Sequence, residues 1–265
     1  QVRLGLTGST GNRDIIVTPI GSDYNLRYRD WEYGNRMKVE NASGGDIGYL
    51  HLRAMGGNDI SDFYREFYPV FDRKGLIVDV QYNFGGNIDS FILEKLMRKA
   101  WMYWATRNGQ PSWNMQYAFR GHMVVLVNEN TYSDGEAFAD GFRKLGLGVT
   151  IGMRTWGGAV GIEPHQDLVD GAVTTPPQLG CYGLDRRWLI EGRGVEPDVE
   201  VQNRPVDVLA GRDTQLEAAI GLLRDRLAED PRQLRRFTHL MRTWGAEAEP
   251  VAAELFRLSF HPDLD

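Results

Sequence analysis

The sequence predicts an α/β protein with a central, largely parallel sheet sandwiched by helices. Three observations support this. Strand and helix patterns alternate three times from Ile47 onward. Two of the strands, GLIVDVQ (75–81) and HMVVLVN (122–128), are almost continuous apolar runs, the pattern of strands covered on both faces. The length of 265 residues, set against about 150 per domain, allows one large α/β core with a smaller appendage.

Residues 2–20 begin with apolar alternation, pass through a Gly/Ser/Asn turn and continue with β-branched residues, predicting two strands joined by a short loop. Such a pair is marginal alone, so it is expected to complete a small β domain whose other strands lie upstream. The chain opens at Gln1 in mid-pattern, and we expect it to be part of a longer polypeptide. Residues 23–40 carry charge and aromatics at rough helical spacing, and the run Asn41-Ala42-Ser43-Gly44-Gly45 ends that pattern. A strand follows at Ile47–Leu52, a helix at Ile60–Phe71, the strand Gly75–Gln81 and a helix at Ile88–Arg98 with Ile88, Ile92, Leu93, Leu96 and Met97 on its apolar side. After the strand His122–Asn128, a helix runs from near Asp134 to Gly146 with Lys144 in its last turn. Residues 149–201 read as short strands and loops, Thr214–Leu227 as an amphipathic helix, and about 231–265 as helical, interrupted by Gly245 and Pro250.

Lys and Arg number 30 against 36 Asp and Glu, a net charge of −6, the wrong sign for coating nucleic acid or an anionic membrane. The single cysteine, Cys181, can form neither an intrachain disulfide nor a Cys-rich zinc site. No cofactor or metal is expected. No apolar run reaches the roughly 18 to 20 residues of a membrane span, and with one cysteine the expected compartment is the cytoplasm.

In open α/β sheets, chemistry collects at the carboxyl ends of strands. One such end carries Asn83-Phe84-Gly85-Gly86-Asn87, where paired glycines let backbone N–H groups face a site unobstructed. Another carries Thr131-Tyr132-Ser133-Asp134-Gly135-Glu136. There Ser133 occupies a strand-to-helix junction suited to a nucleophile, with the helix N-terminus favouring an oxyanion. The same residues satisfy a capping box, S-x-x-E, and an N-cap role for Ser133 stays open at this level. Glu191 alone reads as a loop acid.

Taken together and in order, GLIVDVQYNFGG, VVLVNENTYSDGEAF, LGLGVTIGMRTWGGAVGI and EGRGVEPDVEV resemble the tricorn-type branch of the C-terminal processing peptidases, over about residues 45–225. The resemblance implies a sheet of the ClpP and crotonase type and serine endopeptidase activity on peptides or unfolded polypeptides. It implies Ser133 as the acylated nucleophile and an oxyanion hole from the N–H groups of Gly86 and Asp134, each donor worth about 3 kcal/mol in the transition state. Glu191 would orient the catalytic imidazole through an intervening serine, a Ser–His–Ser–Glu relay. Gly85, Gly157 and Gly158 would line the substrate site, and Trp104, in the aromatic stretch 101–106, would contribute to an apolar P1 pocket, though that stretch reads equally well as core. Homo-oligomers, hexamers in relatives, and downstream aminopeptidases are implied as partners.

In the family the histidine and its serine precede a PDZ domain, and no equivalent occurs here: His51, His122, His165, His239 and His261 match no family motif. The expected division is therefore the end of a PDZ-like domain at 1–22, a linking helix and turn at 23–45, a catalytic core at 46–228 and a helical extension at 229–265. The base is expected upstream, which would leave this chain alone inactive. The sister branch's Ser–Lys mechanism is disfavoured because its F-G-K-G string is replaced by Trp156-Gly157-Gly158-Ala159, and Lys144 reads as a helix-end charge. Two other functions compete: a peptide-binding pseudo-peptidase and a crotonase-like acyl-transfer enzyme. The latter leaves Ser133 unexplained.

Overall fold

The computed structural model describes residues 1–104, 111–162 and 166–232. Strands β1 (Val2–Gly8) and β2 (Gly11–Val17) form the predicted antiparallel hairpin, with Gly8 opposite Gly11 across a two-residue turn. Helix α1 (Tyr24–Ser43) ends where Gly44 adopts a left-handed conformation and returns its N–H to Glu40 O. Next come β3 (Ile47–His51), α2 (Asp59–Phe67), β4 (Gly75–Asp79) and α3 (Asp89–Met97). A two-stranded piece, β5 (Tyr103–Trp104) with β6 (Ser112–Trp113), precedes β7 (His122–Val127), α4 (Asp134–Lys144) and β8 (Val149–Gly152). Short strands β9 (Gly161–Ile162), β10 (Gln166–Asp167), β11 (Val173–Thr174) and β12 (Pro177–Leu179) pair β9 with β12 and β10 with β11. β13 (Val199–Glu200), α5 (Pro205–Leu209) and α6 (Thr214–Glu229) complete the described chain.

The five-stranded sheet has the order β13-β8-β7-β4-β3, every neighbouring pair parallel. Both faces are covered, which explains the unbroken apolar runs: every residue of β4 is buried. Alternation within the strands divides the core in two. Leu50, Leu76, Val78, Val125 and Val127 pack with Phe63, Phe67, Ile92, Phe138 and Phe142 of α2, α3 and α4. Ile47, Tyr49, Ile77, Val124 and Leu126 pack with Val39 of α1 and Leu216, Ile220 and Leu223 of α6.

Several element boundaries differ from expectation by a few residues, and two of them have a clear local cause. Helix α2 stops at Phe67 rather than Phe71, because Pro69 has no N–H to return to the helix. Strand β4 stops at Asp79 rather than Gln81: Val80 still donates to Leu126 O (2.9 Å), but Asp79 Oδ1 then captures Gln81 N–H (2.9 Å) and Tyr82 turns at φ 59°. That turn aims the following loop across the end of the sheet. Of the expected helical extension at 229–265, residues beyond 232 lie outside the described residues. Among the described residues, no helix is long and apolar enough to cross a membrane.

Candidate active site

Three loops meet at the carboxyl ends of β4, β7 and β8. The first is the glycine loop 83–86, held by Asn83, whose Nδ2 donates to Leu52 O (2.6 Å) and whose Oδ1 accepts Gly85 N–H (2.8 Å). The second is the turn into α4, where Thr131 Oγ1 donates to Val80 O (2.8 Å) and Tyr132 N–H to Asn83 O (3.1 Å). The third is 155–158, anchored by Trp156 N–H to Thr131 O (3.1 Å).

Ser133 sits at their junction with φ 57° and ψ −125°. Backbone of this kind in a residue with a Cβ costs on the order of 1–3 kcal/mol and persists only where surroundings enforce it. Here they do: Ser133 N–H donates to Gly158 O (3.0 Å) and to Glu136 Oε2 (3.1 Å), while its carbonyl accepts from Glu136 N–H (2.9 Å). Ser133 precedes α4 as the S-x-x-E spacing predicts, and the Glu136 carboxylate closes the capping box back onto Ser133 N–H.

The glycine loop lies directly against this serine. A Cβ on Gly85 would stand 2.4 Å from Ser133 Cβ and 2.8 Å from its Oγ, and one on Gly86 would stand 1.8 Å from Met55 O. Gly86 is fixed by a parallel bridge to Met55 that uses the atoms on either side of it: Met55 N–H to Gly85 O (2.8 Å) and Asn87 N–H to Met55 O (2.7 Å). Among the described residues neither Gly86 N–H nor Asp134 N–H has a hydrogen-bond acceptor. The Asp134 carboxylate points elsewhere, its Oδ2 accepting the N–H groups of Ile88 (2.8 Å) and Asp89 (3.0 Å) at the start of α3. Burial, and then the Asp89 carboxylate, push its pKa up to about 6.

Glu136 is the organising residue that sequence reading took only as the far end of a capping box. Its fully buried carboxylate accepts four hydrogen bonds: Thr155 Oγ1 (2.5 Å) and Gly157 N–H (2.7 Å) on Oε1, Gly158 N–H (2.9 Å) and Ser133 N–H (3.1 Å) on Oε2. Thr155 Oγ1 in turn accepts Val195 N–H (2.7 Å). Thus one carboxylate ties the turn into α4 to Gly157, Gly158 and the 191–195 segment. The available signal was a carboxylate in the first turn of a helix whose other face is apolar.

Glu191 is also brought to this cluster. Its Oε2 accepts the N–H groups of Ala159 and Val160, both at 2.9 Å, and Gly192 N–H donates to Gly157 O (2.8 Å). Downstream, Asp198 takes Thr150 N–H and Arg143 Nε, both at 2.9 Å; burial would raise its pKa, but the Thr150 and Arg143 contacts prevail and lower it. Trp104 stands apart: its indole N–H donates to Asn114 Oδ1 (2.9 Å) across β5–β6, and no contact among the described residues ties it to Ser133.

No described imidazole or lysine reaches Ser133. His51 is buried, bonded to Tyr28 Oη through Nε2, with Trp31 edge-on at 5.0 Å and Nδ1 3.7 Å from Asp79 Oδ1. His122 opens β7, at the opposite end of that strand from the turn, and its Nε2 meets Asp230 O at 3.0 Å. Lys144 pairs with Asp140 (2.6 Å) as a helix-end charge. His165, His239 and His261 lie outside the described residues. A cleft of about 610 Å³ between α1, β3 and α2 includes Tyr28, Glu32, His51 and Arg53, and meets the glycine loop only through Leu52 and Arg53. No group of three or more His, Cys, Asp or Glu among the described residues is placed to hold a metal ion.

Residues 46–201 match the profile of peptidase family S41. The chain is 42% identical over 228 residues to the tricorn protease of Thermoplasma acidophilum, covering 86% of this chain and 21% of that protein. It is 38% identical to tricorn protease homolog 1 of Streptomyces coelicolor, covering 87% and 22%. The crystal structure of the tricorn protease superposes with a TM-score of 0.80 at 41% identity, covering 85% of this chain and 22% of that one. The chain thus spans about a fifth of the length of these relatives.

Proposed function

The chain belongs to peptidase family S41, and from that premise we propose that it is the core of a serine endopeptidase acting through an acyl-enzyme on Ser133. The observation that carries this reading is the strained Ser133 at the strand-to-helix turn, set against Gly85, with two unmatched N–H groups beside it. Ser133 Oγ attacks the scissile carbonyl, and the oxygen of the tetrahedral intermediate is received by Gly86 and Asp134 N–H. The general base is an imidazole outside the described residues, on the upstream segment that the family resemblance implies. Glu191 orients that imidazole through a serine of the same segment, its remaining acceptor capacity serving this role. Gly85, Gly157 and Gly158 border the substrate, and Trp104 contributes to an apolar P1 pocket.

In this reading residues 1–22 close a PDZ-like domain, 23–45 link it to the core at 46–228, and 229–265 follow the core as an extension. The substrates are peptides or unfolded polypeptides, and the working form is a cytoplasmic homo-oligomer that passes products to aminopeptidases. The test is fluorophosphonate labelling with mass spectrometry of the full-length protein and of this chain, with Ser133→Ala as control. Labelling of the full-length protein at Ser133, and not of this chain, is expected. Labelling of neither favours a pseudo-peptidase; labelling of both places the base within these 265 residues.

A further inference from the structure

Three aromatic side chains stand at the site, each on the residue immediately before an element of the proposed machinery: Phe84 before Gly85-Gly86, Tyr132 before Ser133, and Trp156 before Gly157-Gly158. Their rings form a row, Phe84 to Tyr132 at 6.2 Å and Tyr132 to Trp156 edge-on at 5.1 Å. Phe84 is 45% and Trp156 63% exposed. The Arg53 guanidinium covers the outer side of Phe84, 5.7 Å from its ring centre. At the other end the Trp156 indole lies along Gly158, where a Cβ would come within 3.0 Å of Cε3, and Gly158 O is the atom that holds Ser133 N–H.

The backbone beneath this row is locked. Phe84 N–H donates to Arg53 O (3.0 Å), Tyr132 N–H to Asn83 O (3.1 Å) and Trp156 N–H to Thr131 O (3.1 Å). The rings therefore lose little further backbone freedom when something covers them, the condition under which aromatic side chains act as anchors. Their open surface, part of the roughly 150–250 Å² that each such side chain can bury, sums to a few hundred Å². That is well short of the roughly 800 Å² per partner of a stable protein–protein interface. It matches instead one or two side chains of an extended peptide.

We infer that Phe84, Tyr132 and Trp156 form a preorganised apolar shelf that recognises a bulky apolar residue of the substrate peptide beside the scissile bond. This rests on the proposed peptidase reading and adds a substrate class to it. The shelf is distinct from the P1 contribution expected of Trp104, which lies on β5.

The test uses the full-length protein carrying Ser133→Ala, so that peptides bind without turnover. Two peptides of equal length and charge are compared, one with Phe and Leu flanking the cleavage site and one with Ser and Asn there. The apolar peptide is expected to bind about tenfold more tightly, as burial of part of an aromatic surface implies. Adding Trp156→Ala should remove most of that preference, and Trp156→Phe should restore much of it. Hydroxyl-radical footprinting should find Trp156 oxidised in the free protein and protected by the apolar peptide. Equal binding of both peptides, equal losses for both in Trp156→Ala, or Trp156 already protected in the free protein would each overturn the shelf. Fluorophosphonate labelling of the otherwise unaltered protein keeps the two ideas separate: labelled Ser133 without peptide discrimination refutes the shelf alone, whereas absent labelling refutes the peptidase reading.

Discussion

Replacing Glu136 by Gln tests whether one buried carboxylate holds the site together. Its two oxygens accept two hydrogen bonds each, at 2.5 to 3.1 Å. A glutamine keeps one acceptor oxygen, and its NH₂ group then faces either the N–H groups of Gly158 and Ser133 or that of Gly157 beside the Thr155 hydroxyl, which can turn to accept, so one or two donors go unsatisfied. Hydrogen bonds to charged groups contribute about 1.5–3 kcal/mol each, so losing one or two costs roughly 1.5–6 kcal/mol before relaxation. For a domain of this size about 2–4 °C of Tm follows each kcal/mol, so Tm should fall by roughly 3 °C or more. Circular dichroism melting of the full-length protein measures this, and fluorophosphonate labelling below the melting range measures the site. Because Ser133 N–H loses its carboxylate partner or Gly157 loses its own, the labelling rate should also fall. Thr155→Val removes the bond from Thr155 Oγ1 to Glu136 and the acceptor of Val195 N–H, and should be less severe. The two substitutions should be non-additive because they share a partner. A Glu136→Gln protein that melts within about 2 °C of the unaltered one would refute the network's importance, set against the size-scaled expectation.

Gly85→Ala should retain the fold by circular dichroism yet lose labelling by about two orders of magnitude, because its Cβ would press on Ser133 at 2.4 Å; near-normal labelling would show that the loop yields. Asp134→Asn addresses the raised pKa. Folded Asp134 holds its proton up to about pH 6, so its contribution to stability is full below about pH 4 and is lost as pH rises through about 6. Urea unfolding should therefore find the asparagine variant gaining on the unaltered protein between pH 4.5 and 7.5; parallel profiles would contradict the shift. Asp198 has the opposite sign: its lowered pKa gives stability present above about pH 4 and lost on further acidification. Asp198→Asn should thus cost most at neutral pH and least near pH 3 by the same measurement.

Sequence by itself determined the architecture here because the deciding signals are local. Continuous apolar runs such as 75–81 require cover on both faces, and their alternation with helical spacing implies parallel crossovers. Ser133 at a strand-to-helix junction and the paired glycines at 85–86 were legible for the same reason, being short-range patterns. Pro69 ends α2 by equally local chemistry, although an apolar pattern continuing past it masked the stop. What only tertiary structure decided is the set of contacts between loops distant in sequence. Spacing alone favoured an N-cap role for Ser133; its φ of 57° and the Gly85 backbone pressed against its side chain are visible only in the structure. Glu136 is within three residues of Ser133 in the chain, but three of its four donors lie 19 to 22 residues away at 155, 157 and 158, and only the fourth is the strained serine itself. Likewise Phe84, Tyr132 and Trp156 are unremarked aromatics in the sequence, and become a row only because the parallel sheet delivers the ends of β4, β7 and β8 side by side. Local propensity specifies which elements form; the convergence of strand ends, set by burial of both sheet faces, specifies which side chains meet.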